Sequence, residues 1–269
     1  MNKENYQAVN SAVIDRWVAE GWEWGKPIDH ETYLRAKAGE WGVFLTPTKT
    51  VPHEWFGDLA GKRVLGLASG GGQQIPVFTA LGAVCTVLDY SAAQLESERM
   101  VAAREGYAVE CVQADMTKPL PFADASFDLV LNGGAPYAAD EVRRVLKPGG
   151  YFITEQAGGS DGLRLRRMLG GGSERPDFNL ENEVQRFLRA GFSINFKDQC
   201  YGTGRFADTA ALIRYAAARP QAFPGFSADG CAAQLEALEA LCARLGYIPN
   251  TEHRFILIAR KRKDGKNDG

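Results

Sequence analysis

From Lys62 onward the chain alternates short apolar runs with longer stretches of mixed polarity, the pattern of parallel strands joined by crossover helices. The runs at 63–68 (RVLGLA), 83–89 (AVCTVLD), 108–113, 127–132 and 151–155 read as five strands. A glycine-rich turn at 69–72 leads into a helix ending near Leu81. A second helix opens on a capping box, Ser91 with Gln94, and stops at Gly106. A third, over 141–146, precedes a turn at Lys147-Pro148-Gly149-Gly150. Beyond 156 comes a glycine-rich loop around a short helix bearing Leu163, Leu165 and Leu169. Then follow a helix near 180–190, a strand near 192–200, helices near 208–218 and 228–245, and a last strand over 253–260. Ahead of the alternation, 5–20 and 30–38 read as helices, and Pro47 and Pro52, each after a β-branched residue, mark an extended connector. The pattern predicts one continuous sheet and not two independent domains.

Composition narrows the class without naming a function. Of 269 residues, 45% are apolar and 24% charged, which excludes disorder, collagen and a disulfide-framed miniprotein. No apolar run approaches the ~20 residues that span a bilayer. The start, polar through Gln7 with no apolar core of a signal peptide, leads to the expectation of a cytoplasmic protein with no membrane partner. A net charge of −2 supplies no field for gathering nucleic acid, although 260–263 is locally basic. The five cysteines are odd in number and form no Cys-x-x-Cys pair, so neither metal nor disulfide is expected. Cys85 falls in an apolar strand, and Cys231 and Cys242 share a helical stripe with Leu235, Leu238 and Leu245, all read as core. All five tryptophans lie in the first 55 residues, with Tyr6 and Tyr33. Such rings cement helices or line pockets for flat ligands.

The chemistry concentrates where strands meet loops. Strand, glycine loop and helix form a ligand-binding design, but the dinucleotide spacing fails, since the third glycine after Gly70-x-Gly72 would fall on Ile75. Asp89 closes the second strand 19 positions after Gly70, where a carboxylate can accept both hydroxyls of a ribose. Asp115-Met116 follows the third strand, offering an acceptor and an apolar thioether beside the same crevice, as an adenine requires. Each feature has a plainer role, as a tight turn at Gly70 to Gly72 or as helix and turn caps at Asp89 and Asp115. Their joint occurrence favours the crevice.

In these motifs the sequence resembles the class I S-adenosylmethionine-dependent methyltransferases, in particular the type-11 group that includes ubiquinone/menaquinone-biosynthesis-like enzymes. The resemblance rests on Val64-Leu65-Gly66-Leu67-Ala68-Ser69-Gly70-Gly71-Gly72, Val87-Leu88-Asp89-Tyr90-Ser91, Ala114-Asp115-Met116 with Leu120-Pro121-Phe122 and Ser126-Phe127-Asp128-Leu129-Val130, and the run from Glu141 to Gly150. It implies an α/β, Rossmann-like methyltransferase fold, with a seven-stranded, mostly parallel sheet, helices on both faces and an antiparallel last strand. The domain organisation expected is an N-terminal helical cap over 1–55 and a cofactor-binding domain over 56–269 with substrate-side helices in 156–250. It further implies that Ala68, Gly70 and Gly72 lie under the methionine part of S-adenosylmethionine. Asp89 would hold the ribose, Tyr90 would lie against the adenine, and Asp115 and Met116 would bracket it. Two departures stand out. The family usually has an acid in place of Gly66 and a glycine in place of Ala68, so Ser69, Gln73 or Asn132 is expected to take over the contact to the cofactor's amino group. Glu141 follows Asn132 by only nine positions, shorter than the family's connection, so the substrate side is expected to be built from the N-terminal helices and 156–250.

The resulting expectation is methyl transfer to a small-molecule acceptor. A sulfonium methyl is already activated, so positioning and desolvation suffice and no base is obligatory. Tyr6, His30, His53, Tyr137 and His253 are candidate bases, none singled out as catalytic. The competing readings are a nucleotide-dependent oxidoreductase, disfavoured by the glycine spacing, and a regulator that binds S-adenosylmethionine without turnover, suggested by Gly66 and Ala68. Neither the acceptor nor the oligomeric state is encoded legibly.

Overall fold

The computed structural model describes residues 6–21, 25–45, 50–170, 175–217, 219 and 222–263, with side chains from Ser11 onward. Two helices open the chain, α1 (Tyr6–Ala19) and α2 (His30–Lys37). Alternation follows through β1 (Arg63–Leu67), α3 (Gln74–Ala80), β2 (Val84–Asp89), α4 (Ala92–Glu105), β3 (Glu110–Gln113), β4 (Phe127–Gly133), α5 (Ala139–Val145) and β5 (Leu146–Ala157). The remainder is α6 (Leu163–Met168), α7 (Leu180–Arg189), β6 (Phe192–Phe206), α8 (Thr209–Ala217), α9 (Ala232–Leu245) and β7 (Ile248–Lys261).

One seven-stranded sheet runs in the order β3-β2-β1-β4-β5-β7-β6. Strands β1 to β5 pair in parallel, with Leu67 level with Leu88 on one side and Asn132 on the other. The central strands are buried along almost their whole length, which is why they read as unbroken apolar runs. Lys261 Nζ reaches the Leu146 carbonyl and Arg260 the Gly149 carbonyl, while Gly158 N–H donates to His253 O, so β7 runs antiparallel to β5. The mostly parallel sheet and antiparallel last strand expected from the sequence are therefore present.

Three boundaries differ from expectation. Lys147 to Gly150 is a bulge at the start of β5, because pairing jumps from Phe127–Leu146 to Leu129–Tyr151. Asp128 faces the bulge and ties it down, accepting from Lys147 Nζ at 2.7 Å and Arg63 N–H at 2.9 Å. Strands β6 and β7 are longer than read, and β6 carries mixed polarity with much of its length exposed, so its apolar signal ends early. Half of the capping box is present: Ser91 Oγ accepts Gln94 N–H at 3.1 Å, but Ser91 N–H goes to Asp89 Oδ1 and not to the Gln94 side chain; Gly106 terminates α4 at φ 74°.

The chain divides into two compact units. The larger spans 7–156, 184–197 and 256–269, and its core joins Val64, Ile75, Phe78, Val87, Leu131 and Ile153 to Val43, Val51 and Phe56 of the N-terminal segment. Trp41 belongs to that packing, its ring stacked on His53 at 3.8 Å and set edge-on to Phe56. The smaller unit spans 1–6, 157–183 and 198–255, with a core of Leu165, Leu169, Leu212, Phe223, Leu238 and Ile248. Cys85 and Cys231 are buried as expected, whereas Leu245, at the end of the expected stripe, is exposed. Trp22, Trp24, Pro47 and Gly171 to Gly172 lie outside the described residues.

Candidate functional site

The sheet order reverses between β1 and β4: from β1 the chain moves outward to β2 and β3, then returns to the other side of β1. Loops leaving neighbouring strands in opposite directions open a crevice at the strands' carboxyl ends. Every cofactor residue expected from the sequence lies at such an end: Ala68 to Gln73 after β1, Asp89 and Tyr90 at the end of β2, Asp115 and Met116 after β3, and Asn132 on β4.

The glycine loop is fixed from one side. Gly70 N–H donates to Asp89 Oδ2 at 3.1 Å, Gly71 N–H to the Gln94 carbonyl at 2.8 Å, and Gly72 N–H to Glu98 Oε2 at 2.9 Å. A Cβ on Gly70 would stand 2.7 Å from Gln94 Cβ, and one on Gly72 2.6 Å from Val101 Cγ2. The glycines therefore let α4 pack against the loop. From the other side, Ile28 N–H reaches the Gly72 carbonyl at 2.9 Å and Gln73 Nε2 reaches the Lys26 carbonyl at 3.0 Å.

Asp89 is buried, and each of its oxygens accepts one backbone N–H, Oδ2 from Gly70 and Oδ1 from Ser91 at 2.9 Å. Burial raises its carboxyl above the usual range, against the pull of those N–H groups, and the nearby Asp15 carboxylate raises it further. The Tyr90 N–H also draws on this carboxylate, and of its four lone-pair directions some acceptor capacity remains for an outside hydroxyl. Tyr90 is half-buried, and its carbonyl accepts from Gln113 Nε2 and from Ser11 Oγ of α1. Asp115 Oδ1 takes both the N–H and the hydroxyl of Thr117, at 2.8 and 2.6 Å, closing a turn, and Met116 is buried beside it. Ala114 N–H to Asp89 O ties this loop to the end of β2.

Asn132 is fully buried and engaged within the sheet. Its Nδ2 donates to Leu67 O at 3.3 Å, and its Oδ1 accepts from Thr154 Oγ1 and Gln156 Nε2. Ser69 is also buried, with its side chain turned back over Gly66. Of the candidate bases, His30 is exposed and 2.7 Å from Glu105, and His53 is exposed with Nε2 2.7 Å from the Trp41 carbonyl. Tyr137 is packed between Phe152 and Phe187. His253 belongs to the smaller unit, buried and stacked on Tyr201 at 4.2 Å; burial lowers its pKa. The Tyr6 side chain lies outside the described residues.

Three features escaped the sequence reading. Asp15 of α1 accepts from Ser91 Oγ at 2.5 Å and Ala93 N–H at 3.3 Å, so an acid from the N-terminal helix sits at the start of α4. The backbone of Lys26 to Ile28 straps the glycine loop. Glu98 lies fully buried beneath it. Only Glu98 left a trace in the sequence: a lone acid inside the apolar stripe Leu95, Val101, Ala102 at helical spacing. Among the described residues no group of three His, Cys, Asp or Glu is placed to hold a metal, and no helix is long and apolar enough to cross a membrane.

Comparison with known proteins shows what the sequence and fold are similar to. Residues 65–154 match the type-11 methyltransferase domain family. The chain is 40% identical over 154 residues to the methyltransferase YbaJ of Bacillus subtilis, itself uncharacterised, covering 55% of this chain and 60% of that protein. It is 41% identical over 102 residues to a demethylmenaquinone methyltransferase of Clavibacter sepedonicus, covering 35% of this chain and 41% of the relative. The chain thus spans less than two thirds of the length of these relatives. The fold is shared with the YcgJ protein of Bacillus subtilis, at TM-score 0.53 and 19% identity over 76% of this chain and 93% of that one. It is also shared with a Bacillus halodurans protein named as a methyltransferase, at TM-score 0.57 and 17% identity over 76% and 94%. Residues 65–154 of the chain are thus similar to the type-11 methyltransferase domain.

Proposed function

We propose that the crevice binds S-adenosylmethionine and that the protein transfers its methyl group to a small-molecule acceptor. One observation carries the cofactor reading. All three glycine N–H groups of the loop are consumed inward, and two of their acceptors are the carboxylates of Asp89 and Glu98. A loop that binds pyrophosphate must present free N–H donors and a positive field. Its three glycines have no N–H left to offer and two carboxylates lie behind them, which suits a cation, as a sulfonium with an α-ammonium group is. The same observation disfavours a dinucleotide oxidoreductase.

In this reading Asp89 accepts from the ribose hydroxyls with its remaining acceptor capacity. Tyr90 and Met116 flank the adenine, and Asp115 Oδ2 accepts from its amino group. Ala68, Gly70 and Gly72 shape the floor under the methionine part, with Ser69 and Gln73 at its edge, and Asn132 holds β1, β4 and β5 in register below it. Residues 1–55 act as a cap: Ser11 and Asp15 dock α1 on the β2–α4 turn, and Lys26 to Ile28 strap the loop, which excludes water from the crevice. Bound there, the sulfonium supplies an activated methyl group for in-line displacement. The chain's task is then to hold and desolvate, so no side chain need be assigned as base.

Calorimetric titration with S-adenosylmethionine, S-adenosylhomocysteine and NADH tests the reading. Saturable binding of the first two and none of the third is expected. Binding of NADH alone, or of none, overturns it. Tight binding with no turnover across phenol, amine and carboxylate acceptors would favour a regulator, the alternative that Gly66 and Ala68 motivate.

A further inference from the structure

We propose that Glu98 is a positioning residue of the cofactor site, holding the glycine loop from beneath through Gly72 N–H so that its ionisation sets how tightly the cofactor binds. The proposal rests on the reading of the crevice as an S-adenosylmethionine site.

Glu98 stands one helical turn after Gln94 on α4, and the two residues take consecutive loop donors, Gly71 N–H on the Gln94 carbonyl and Gly72 N–H on Glu98 Oε2. The second carboxyl oxygen, Oε1, accepts from Tyr107 Oη at 2.9 Å. Glu98 is fully buried, and Gly72 is clasped from the far side by Ile28. A movement of the carboxyl group is therefore passed to the loop and not absorbed by solvent. The groups facing it are Tyr107 beyond α4, with Tyr33 of α2 stacked on that ring at 5.7 Å, and the thiols of Cys85 on β2 and Cys111 on β3. Among the described residues, none of the groups acting on Glu98 is a cation.

Burial pushes its carboxyl up to about 7, against the pull of Tyr107 and Gly72. As a carboxylate it accepts both hydrogen bonds, and the one from Gly72 is charge-assisted. As an acid it must donate its own proton to Tyr107 Oη, and the bond from Gly72 becomes an ordinary neutral one. The loop is then held less firmly, and a negative charge that favours the ligand's α-ammonium group disappears. Both changes weaken binding as pH falls through neutrality.

The test is the dissociation constant of S-adenosylhomocysteine, which carries the same adenosine and amino-acid ends as the methyl donor, from pH 5.5 to 8.5. It compares the full-length protein with Glu98→Gln and Tyr107→Phe, each checked for a cooperative thermal melt. The amide that Glu98→Gln introduces can still accept from Gly72 and donate to Tyr107, so the fold is kept while titration is lost. Ligand ionisation and Asp89 are common to all three proteins and cancel in the comparison. Expected is a weakening of about three- to tenfold toward acid in the wild type that Glu98→Gln lacks. In Tyr107→Phe the midpoint should move to higher pH, because the carboxylate has lost a donor. Equal pH slopes in wild type and Glu98→Gln overturn the positioning role while leaving the cofactor reading intact. No binding by folded wild type at any pH overturns both.

Discussion

Ser69 fills the space that a side chain at residue 66 would occupy. A Cβ built on Gly66 would lie 2.6 Å from Ser69 Cβ and 3.0 Å from Ile75 Cδ1. The acid usual at that place in the methyltransferases the sequence resembles is thus excluded by the loop that follows it, not merely replaced.

Reintroducing the acid should therefore harm the protein. Gly66→Asp adds volume to a filled site and buries a carboxylate, and is expected to cost about 2 to 4 kcal/mol of stability in urea unfolding. Adding Ser69→Gly to it should recover part of that loss. A single variant as stable as wild type would show that Ser69 turns away without strain.

Asp89 is the residue for which an amide is a poor substitute. Both oxygens accept backbone N–H groups, so Asp89→Asn points its NH2 at one of those donors. Affinity for S-adenosylhomocysteine should fall by about 1 to 3 kcal/mol, since the turn and the proposed ribose acceptor are disturbed together. Unchanged affinity would remove Asp89 from the site.

Glu98 should be a liability for stability. Its carboxyl sits near 4.5 when unfolded and about 7 when folded. Below 4.5 it is protonated in both states and contributes nothing. Between these values the folded state keeps a proton that the unfolded state has lost, so stability falls as pH rises, and above 7 the whole cost remains. Glu98→Gln should be more stable than wild type by about 2 to 3 kcal/mol at pH 8, the gap closing toward pH 4.5. A gap independent of pH would mean that Glu98 does not titrate in this range.

These cases mark where the sequence was readable. The buried parallel strands announced themselves as apolar runs, and Asp89 by closing one of them after a glycine loop. Strand β6 hid its end beyond residue 200 because much of it is exposed and mixed in polarity. The reason for the glycines was not visible, because the atoms they avoid belong to Gln94 and Val101, more than 20 positions away. Asp15 was illegible for the same reason, since its partner Ser91 lies 76 residues downstream. Local chemistry is written locally, while pinning contacts depend on which helix packs against which loop.

Ala68 supplies the last expectation. It sits at φ 52°, in the left-handed region, with its N–H fixed to the Leu88 carbonyl at 2.8 Å. An L-residue with a Cβ is strained there by roughly 1 to 2 kcal/mol, and the glycine usual there in the methyltransferases the sequence resembles is not. Glycine in turn costs more chain entropy on folding, which offsets about 0.5 to 1 kcal/mol of the relief. Ala68→Gly should thus leave stability level or raise it by about 1 kcal/mol in thermal or urea unfolding. Cofactor affinity should hold steady, because the loop donors at Gly70 to Gly72 are pinned independently of residue 68. A destabilised variant would mean that the Ala68 methyl group makes contacts in the crevice worth more than its strain.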